Sequence, residues 1–262
     1  MRWSELQRAM LREMGIPAFW PVPPQDEVAD AALVSEPKPA RAKAPPAAAD
    51  RPAPAATGIE VVLGPRPDGI DQMDWSALRT AVAGCQACGL CQSRRQAVFG
   101  VGHEQAHWMI VGEAPGEQED LQGEPFVGRP GQLLDRMLEA VGLTRGEADA
   151  GRQVFIANVL KCRSPENRNP QPAEVAQCEP YLMRQIALVQ PRVILAMGRF
   201  AAQALLKSTL PIGKLRGQVH QVHGTPVIVT YDPAYLLRNP VDKALVWDDL
   251  CRARELLAGV AD

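Results

Sequence analysis

Residues 108–111, Trp-Met-Ile-Val, run directly into Gly-Glu-Ala-Pro-Gly-Glu-Gln-Glu-Asp at 112–120. An apolar run that ends in a turn holding two glycines and a proline constrains this chain more than any other stretch. The run reads as a buried strand. The turn reads as the loop at its carboxyl end, which is where open α/β sheets place their ligand sites. Gly112 and Gly116 permit backbone conformations that a Cβ would block and let a ligand approach main-chain N–H groups. Pro115 fixes one dihedral of the turn. Taken alone, the same residues also read as an acidic solvated loop.

Three further apolar runs follow, at 154–160, 193–197 and 226–231. Between them lie helical patterns. At 131–141, Leu134, Met137, Leu138 and Val141 share one side. Residues 172–189 are helical with Pro180 as a kink or restart, and 200–206 and 243–257 complete the set. Residues 213–224 suggest a small hairpin. Buried strands alternating with helices argue for a parallel sheet covered on both faces. Upstream, 75–83 reads as a helix with Trp75, Leu78 and Val82 on one face, closed by Gly84. The organisation expected is a short amphipathic helix at 1–20, a Pro/Ala-rich linker at 21–73 and a folded domain at 74–262. The linker reading rests on nine prolines between Pro21 and Gly58, a composition that cannot bury enough apolar surface to fold. The first helix, with Leu6, Met10, Leu11 and Met14 at helical spacing, is a candidate to dock on the domain or on a protein partner.

A net charge of −2 and a pI near 6.1 give no global basic signature, so nucleic-acid binding has to come from a local patch. No apolar run reaches membrane-span length, and residues 1–22 lack a signal-peptide core. A cytoplasmic protein without membrane contact is the expectation. In that reducing setting the six cysteines point to a metal or cluster rather than to disulfides. Cys85 and Cys88 form a C-x-x-C pair at a helix end, Cys162 follows the second strand, and Cys178 lies sixteen residues further on. Four thiolates from two segments can hold one zinc or a four-iron cluster; buried structural thiols are the plainer alternative. Cys91 either replaces a ligand or is a bystander, and Cys251 reads as packing.

Other residues are candidates for ligand contact. Phe126, among glycines and prolines at 123–131, offers a stacking face or a loop anchor. Asn158 is an amide inside an apolar strand and needs partners; its adjacent donor and acceptor suit a nucleobase edge. The basic loop at 161–170 carries Arg163 and Arg168. The loop at 231–240 carries Asp232, Tyr235, Leu236, Leu237 and Arg238, a set that can wedge into a base stack and hold phosphate or simply start a helix.

Residues 112–120, Pro-Phe-Val-Gly at 125–128, Asn-Val-Leu-Lys-Cys at 158–162, Cys178 and Asp-Pro-Ala-Tyr-Leu-Leu-Arg at 232–238 resemble, in order and spacing, the family 4 uracil-DNA glycosylases, the iron–sulfur members of their superfamily. The resemblance runs from about Cys85 to the last helix. It implies a three-layer α/β/α sandwich with a central four-stranded parallel sheet. It also implies a 4Fe-4S cluster on Cys85, Cys88, Cys162 and Cys178, and a monomer acting on uracil in DNA as a base-excision repair hydrolase. The uracil would be flipped out of the stack, with Phe126 stacked on it and Asn158 reading its edge. Gly112 and the backbone N–H groups of Glu113 and Ala114 would meet a carbonyl oxygen. Glu113 would position the attacking water or stabilise the sugar cation. Ala114 stands where some superfamily members carry a water-positioning Asp. Arg163, Arg168 and Arg238 are expected on DNA phosphates. One departure stands out: Asp232 occupies the place of a motif His that donates a hydrogen bond to the leaving uracil. An ionised carboxylate only accepts, which leaves slow uracil excision, another damaged base, or an inactive iron–sulfur DNA-binding relative.

Overall fold

A computed structural model describes residues 64–258; the expected N-terminal helix and most of the expected linker lie outside the described residues. Six strands form one sheet: β1 (Val101–Gly102), β2 (Trp108–Gly112), β3 (Phe155–Asn158), β4 (Val193–Met197), β5 (Val219–Val222) and β6 (Thr225–Thr230), in the order β1-β3-β2-β4-β6-β5. The inner four strands are parallel and the two edge strands antiparallel. The four-stranded parallel sheet is therefore the centre of a mixed one. β1 is two residues long and β5 buries only its last residue, Val222, so neither carries a continuous apolar run.

The hairpin expected at 213–224 is displaced. Residues Ile212–Leu215 form a helical turn, α7, and the hairpin joins β5 to β6 through His223 and Gly224, with φ of 49° and 84°. Two positive φ values in a two-residue loop match the twist of the flanking strands.

The helices that cover the sheet are α4 (Arg129–Ala140), α5 (Pro172–Val189), α6 (Arg199–Leu206), α8 (Pro233–Arg238) and α9 (Lys243–Ala258); α1 (Trp75–Ala83), α2 (Leu90–Ser93) and α3 (Glu117–Gln122) are shorter. Successive strand residues point to opposite faces, and both faces are buried. Trp108, Ile110, Ile156, Leu195 and Ile228 pack with α4, α8 and α9. Met109, Val111, Phe155, Ile194 and Val227 pack with α5 and α6. Each fully buried residue of this size contributes about 1.5–3 kcal/mol relative to exposure, so the two apolar layers fix the three-layer arrangement. Cys251 packs against the first of them, as expected.

α5 runs through Pro180 without a restart. Pro180 has no N–H to bond the Ala176 carbonyl, and Arg66 Nη1 donates to that oxygen at 3.4 Å. The packed body also begins before Asp74. Ile70, in a 3₁₀ turn at Ile70–Gln72, is buried in a third cluster with Leu78, Val82, Leu160 and Tyr181. A single apolar residue among prolines and charges carries no periodicity, so the sequence hid it. No helix among the described residues is long and apolar enough to cross a membrane.

The strand order has one functional consequence. From β2 the chain moves to β3 on one side, then crosses back to β4 on the other. The loops after β2 and β4 diverge, and a crevice opens at the carboxyl ends of the strands between them.

Candidate active site and cysteine pocket

Gly112 ends β2 at the mouth of that crevice. A Cβ there would stand 2.4 Å from Asn158 Oδ1 and 2.5 Å from Phe126 Cζ. The glycine is required because two side chains converge over it, a reason the sequence did not reveal. Phe126 sits at φ 54°, a left-handed conformation that non-glycine residues rarely adopt outside constrained loops. The surroundings hold it there. Glu119 Oε1 accepts from Val127 N at 3.1 Å, and a Cβ on Gly131 would stand 1.6 Å from the Phe126 carbonyl oxygen. Asp120, buried in α3, accepts from the backbone N–H groups of Arg95 and Gln96, tying the acidic loop down. Asn158, only 2% exposed, ends β3 beside Phe126, and its Oδ1 has no hydrogen-bond partner. A buried acceptor left in that state costs about 1–3 kcal/mol, and a ligand with a donor would recover it.

Glu113 follows Gly112 on the crevice wall, and Ala114 lies beside it. Burial pushes the Glu113 carboxyl up to about 7, the nearby Asp232 pushes in the same direction, and Arg199 opposes both. Asp232 is the N-cap of α8, its Oδ1 accepting from Ala234 N at 2.7 Å. Burial raises its pKa as well, while hydrogen bonds from Ala234 and Tyr235 and the charge of Arg238 hold it back. Gly198, after β4, has φ 88°, and a Cβ there would stand 3.2 Å from that of Asp232. Three carboxyl groups line the crevice, Glu113, Glu119 and Asp232, with Asp232 disfavouring ionisation of Glu113 and Glu119 disfavouring that of Asp232, and Arg199 and Arg238 stand on its walls.

Sequence reasoning missed Arg199 and Phe200, which line this space together with Tyr231, the first residue of the loop at 231–240. The signal was present for Arg199: it follows a glycine at the end of a buried strand, as Glu113 does. The three arginines expected on DNA separate. Arg238 lines the crevice. Arg163 Nε donates to Asn167 Oδ1 at 3.0 Å, with its guanidinium 3.8 Å from Glu117. Arg168 is committed elsewhere: it forms a two-pronged ion pair with the buried Glu174 and donates to Asn169 O. It fixes its own loop through both terminal nitrogens while its side chain stays 37% exposed.

On the far side of the same loop, Cys85, Cys88, Cys91, Cys162 and Cys178 line one pocket together with Arg94 and Lys161. Cys162 and Cys178 are buried, and burial pushes their thiols up to about 11 and about 12. Arg94 Nη1 donates to Cys162 Sγ at 2.9 Å, and Lys161 N donates to Cys178 Sγ at 3.2 Å. Among the described residues no three His, Cys, Asp or Glu side chains stand close enough to share a single metal ion. A pocket ringed by spaced thiols and N–H donors fits a cluster with several irons better than one zinc. Lys161 is buried between the two sites. Its Nζ donates to the Asn158 carbonyl oxygen at 2.8 Å and to Gln185 Oε1 at 2.6 Å.

The uracil DNA glycosylase superfamily model matches residues 99–251. A type-4 uracil-DNA glycosylase of Saccharolobus solfataricus is 40% identical over 183 residues, covering 66% of this chain and 82% of that protein. Its counterpart from Archaeoglobus fulgidus is 43% identical over 167 residues, 61% of this chain and 81% of the other. That of Thermotoga maritima is 39% identical over 177 residues, 66% and 89%.

Proposed function

The chain belongs to the uracil DNA glycosylase superfamily, and we propose that it is a DNA-repair enzyme of the type-4 kind, hydrolysing the N-glycosidic bond of uracil in DNA. The observation that carries this reading is the unpartnered Asn158 Oδ1 beside the constrained Phe126 ring, over a glycine that leaves room for both. A pyrimidine slid against Phe126 presents an N–H to that acceptor and a carbonyl to the amide nitrogen. The base reaches the crevice only when flipped out of the stack.

In this reading, water attacks the sugar C1′ as the bond to uracil N1 breaks, and the bonding electron pair leaves with the base. Ionised Glu113 orients that water, takes its proton and offsets positive charge on the sugar. Its raised pKa keeps it close to the working range of a general base. Arg199 favours the ionised form. Asp232 stands where a donor to the departing uracil is wanted, and only its protonated form donates; that place in the site also favours a weakly active DNA-binding relative as the second reading. Arg163 and Arg238 supply phosphate contacts. Cys85, Cys88, Cys162 and Cys178 would hold a 4Fe-4S cluster that ties together the end of α1, the loop after β3 and α5, with Cys91 in the same pocket as a non-ligand.

The test is uracil release from a labelled single-stranded oligonucleotide. Phe126→Ala is expected to weaken base capture by about 1–3 kcal/mol, and Asn158→Asp to change which base is accepted, because an amide donor becomes an acceptor. Unchanged activity and specificity in both variants would sink the pocket assignment.

A further inference from the structure

The crevice is larger than the base pocket at its floor. Its volume of about 810 Å³ lies high in the range of about 300–1,000 Å³ that takes whole drug-sized ligands, so one pyrimidine ring leaves much of it open. Part of the remaining wall is a column of stacked groups. Tyr231 and Tyr235 stack with ring centroids 4.8 Å apart and planes 27° from parallel. The Arg216 guanidinium lies over the Tyr231 ring at 4.5 Å. Tyr231 is thus engaged by both Arg216 and Tyr235.

The column is anchored at its inner end. Arg216 Nε and Nη2 donate to Oδ2 of Asp249, which is 3% exposed, at 2.9 and 2.7 Å. At its outer end, Tyr235 Oη donates to Asp242 Oδ2 at 2.6 Å, which fixes the ring's rotation. Among the described residues no further ring or guanidinium stacks on Tyr235, and Tyr235 lines the crevice that holds Glu113 and Asn158. Tyr235 is half-buried and packs against the core beneath it, so a ring with one face engaged, its hydroxyl tethered and part of its surface on the crevice is a preorganised stacking surface, and preorganisation lowers the ordering cost of binding.

We propose that Tyr235 is a stacking platform for the nucleobase immediately next to the flipped one in a single strand of DNA, with Tyr231, Arg216 and Asp249 as the residues that position it. The ligand class is a flat base of any identity, because every base offers a π face. Arg238, on the same short helix, is placed for an adjoining phosphate. The inference rests on the reading of the crevice as a uracil-DNA site and extends that site by one nucleotide.

The experiment is a cycle between ring and base. The full-length protein is titrated with single-stranded oligonucleotides bearing a uridine analogue whose glycosidic bond resists cleavage. The neighbour on each side in turn is either a normal nucleotide or an abasic spacer. Removing the neighbouring base on one side is expected to weaken wild-type binding by about 5-fold or more. Tyr235→Leu should bind both oligonucleotides alike, at the weaker affinity. Tyr235→Phe, which keeps the ring and loses the Asp242 bond, should retain most of the base dependence. If Tyr235→Leu weakens both oligonucleotides by the same factor and still responds to base removal as the wild type does, Tyr235 only supports the fold and the proposal is overturned. If the wild type is indifferent to the neighbouring base on both sides while still binding the uridine analogue, the proposal fails and the uracil-site reading stands. If the wild type does not bind the analogue at all, both fall.

Discussion

The crevice and the cysteine pocket share one loop, yet their buried groups are satisfied to different degrees. Asn158 faces the crevice and Cys162 the cysteine pocket, and Lys161 bonds back to the strand between them. In the cysteine pocket the buried sulfurs of Cys162 and Cys178 already have N–H donors. The crevice instead carries an orphan amide oxygen, three carboxyl groups whose charges disfavour one another and a strained phenylalanine. In the first region the two buried sulfurs are satisfied, and the Tyr181 hydroxyl is the buried polar atom without a hydrogen-bond partner. The second stores unsatisfied groups for a ligand to complete, which is where functional strain is expected to collect.

That contrast predicts that the two regions respond differently to substitution. The largest effect should come from the cysteine pocket. Cys178→Ser is expected to abolish cluster loading, measured as iron and sulfide per chain after anaerobic purification, with about four of each in the wild type. Glu113→Gln and Asn158→Asp should leave that content unchanged. A colourless wild type carrying one zinc would remove the distinction.

Next, Glu113→Gln should slow uracil excision by about 100-fold or more, the usual contribution of a positioned general base. The pH dependence follows from its raised pKa. Because the ionised form acts, the single-turnover rate should rise as pH passes through about 7. Asp232→Asn removes a neighbouring negative charge and should move that midpoint lower; Arg199→Ala removes a positive one and should move it higher. The same shift acts on stability with the opposite sense. The folded protein holds this proton more tightly than the unfolded chain, so the contribution is full below about pH 4.5 and is lost as pH rises through about 7. A midpoint unmoved in both variants would separate Glu113 from the chemistry.

Asp232→His should raise uracil excision by about 10-fold or more, a figure below what one oxyanion donor usually contributes. The same change removes the cap on Ala234 N, so it should also cost about 0.5–2 kcal/mol in a denaturant titration. Faster and less stable is the expected pair. A variant no faster than the wild type would show that the leaving group is stabilised elsewhere. The smallest effect distinguishes two arginines. Arg238→Ala should lower the salt slope of DNA binding by about 1. Arg168→Ala should leave the slope nearly unchanged, because that guanidinium is already neutralised by Glu174.

The sequence by itself determined the parallel centre of the sheet, the crevice loops and the gathering of cysteines. Each of these is written in short-range signals: continuous apolar runs at 108–111, 154–160, 193–197 and 226–231, glycines at strand ends, and a C-x-x-C pair. It placed Glu113 and Asp232 in loops at strand ends, Asn158 inside a strand and Phe126 in a loop of glycines and prolines, and these four do line one crevice. The edge strand β1 escaped it and β5 was covered only by the hairpin expected at 213–224, since β1 has two residues and β5, Val-His-Gln-Val, is apolar only at its ends. Only the tertiary structure decided why Gly112 must be glycine, that Arg168 is spent on Glu174 while Arg199 opposes the raised pKa of Glu113, and that Arg216, Tyr231 and Tyr235 form one column. The physical reason is range. Strand and helix formation respond to neighbours within a few residues, whereas ion pairing, ring stacking and charge repulsion depend on distances between side chains that meet only once the sheet has ordered its strands.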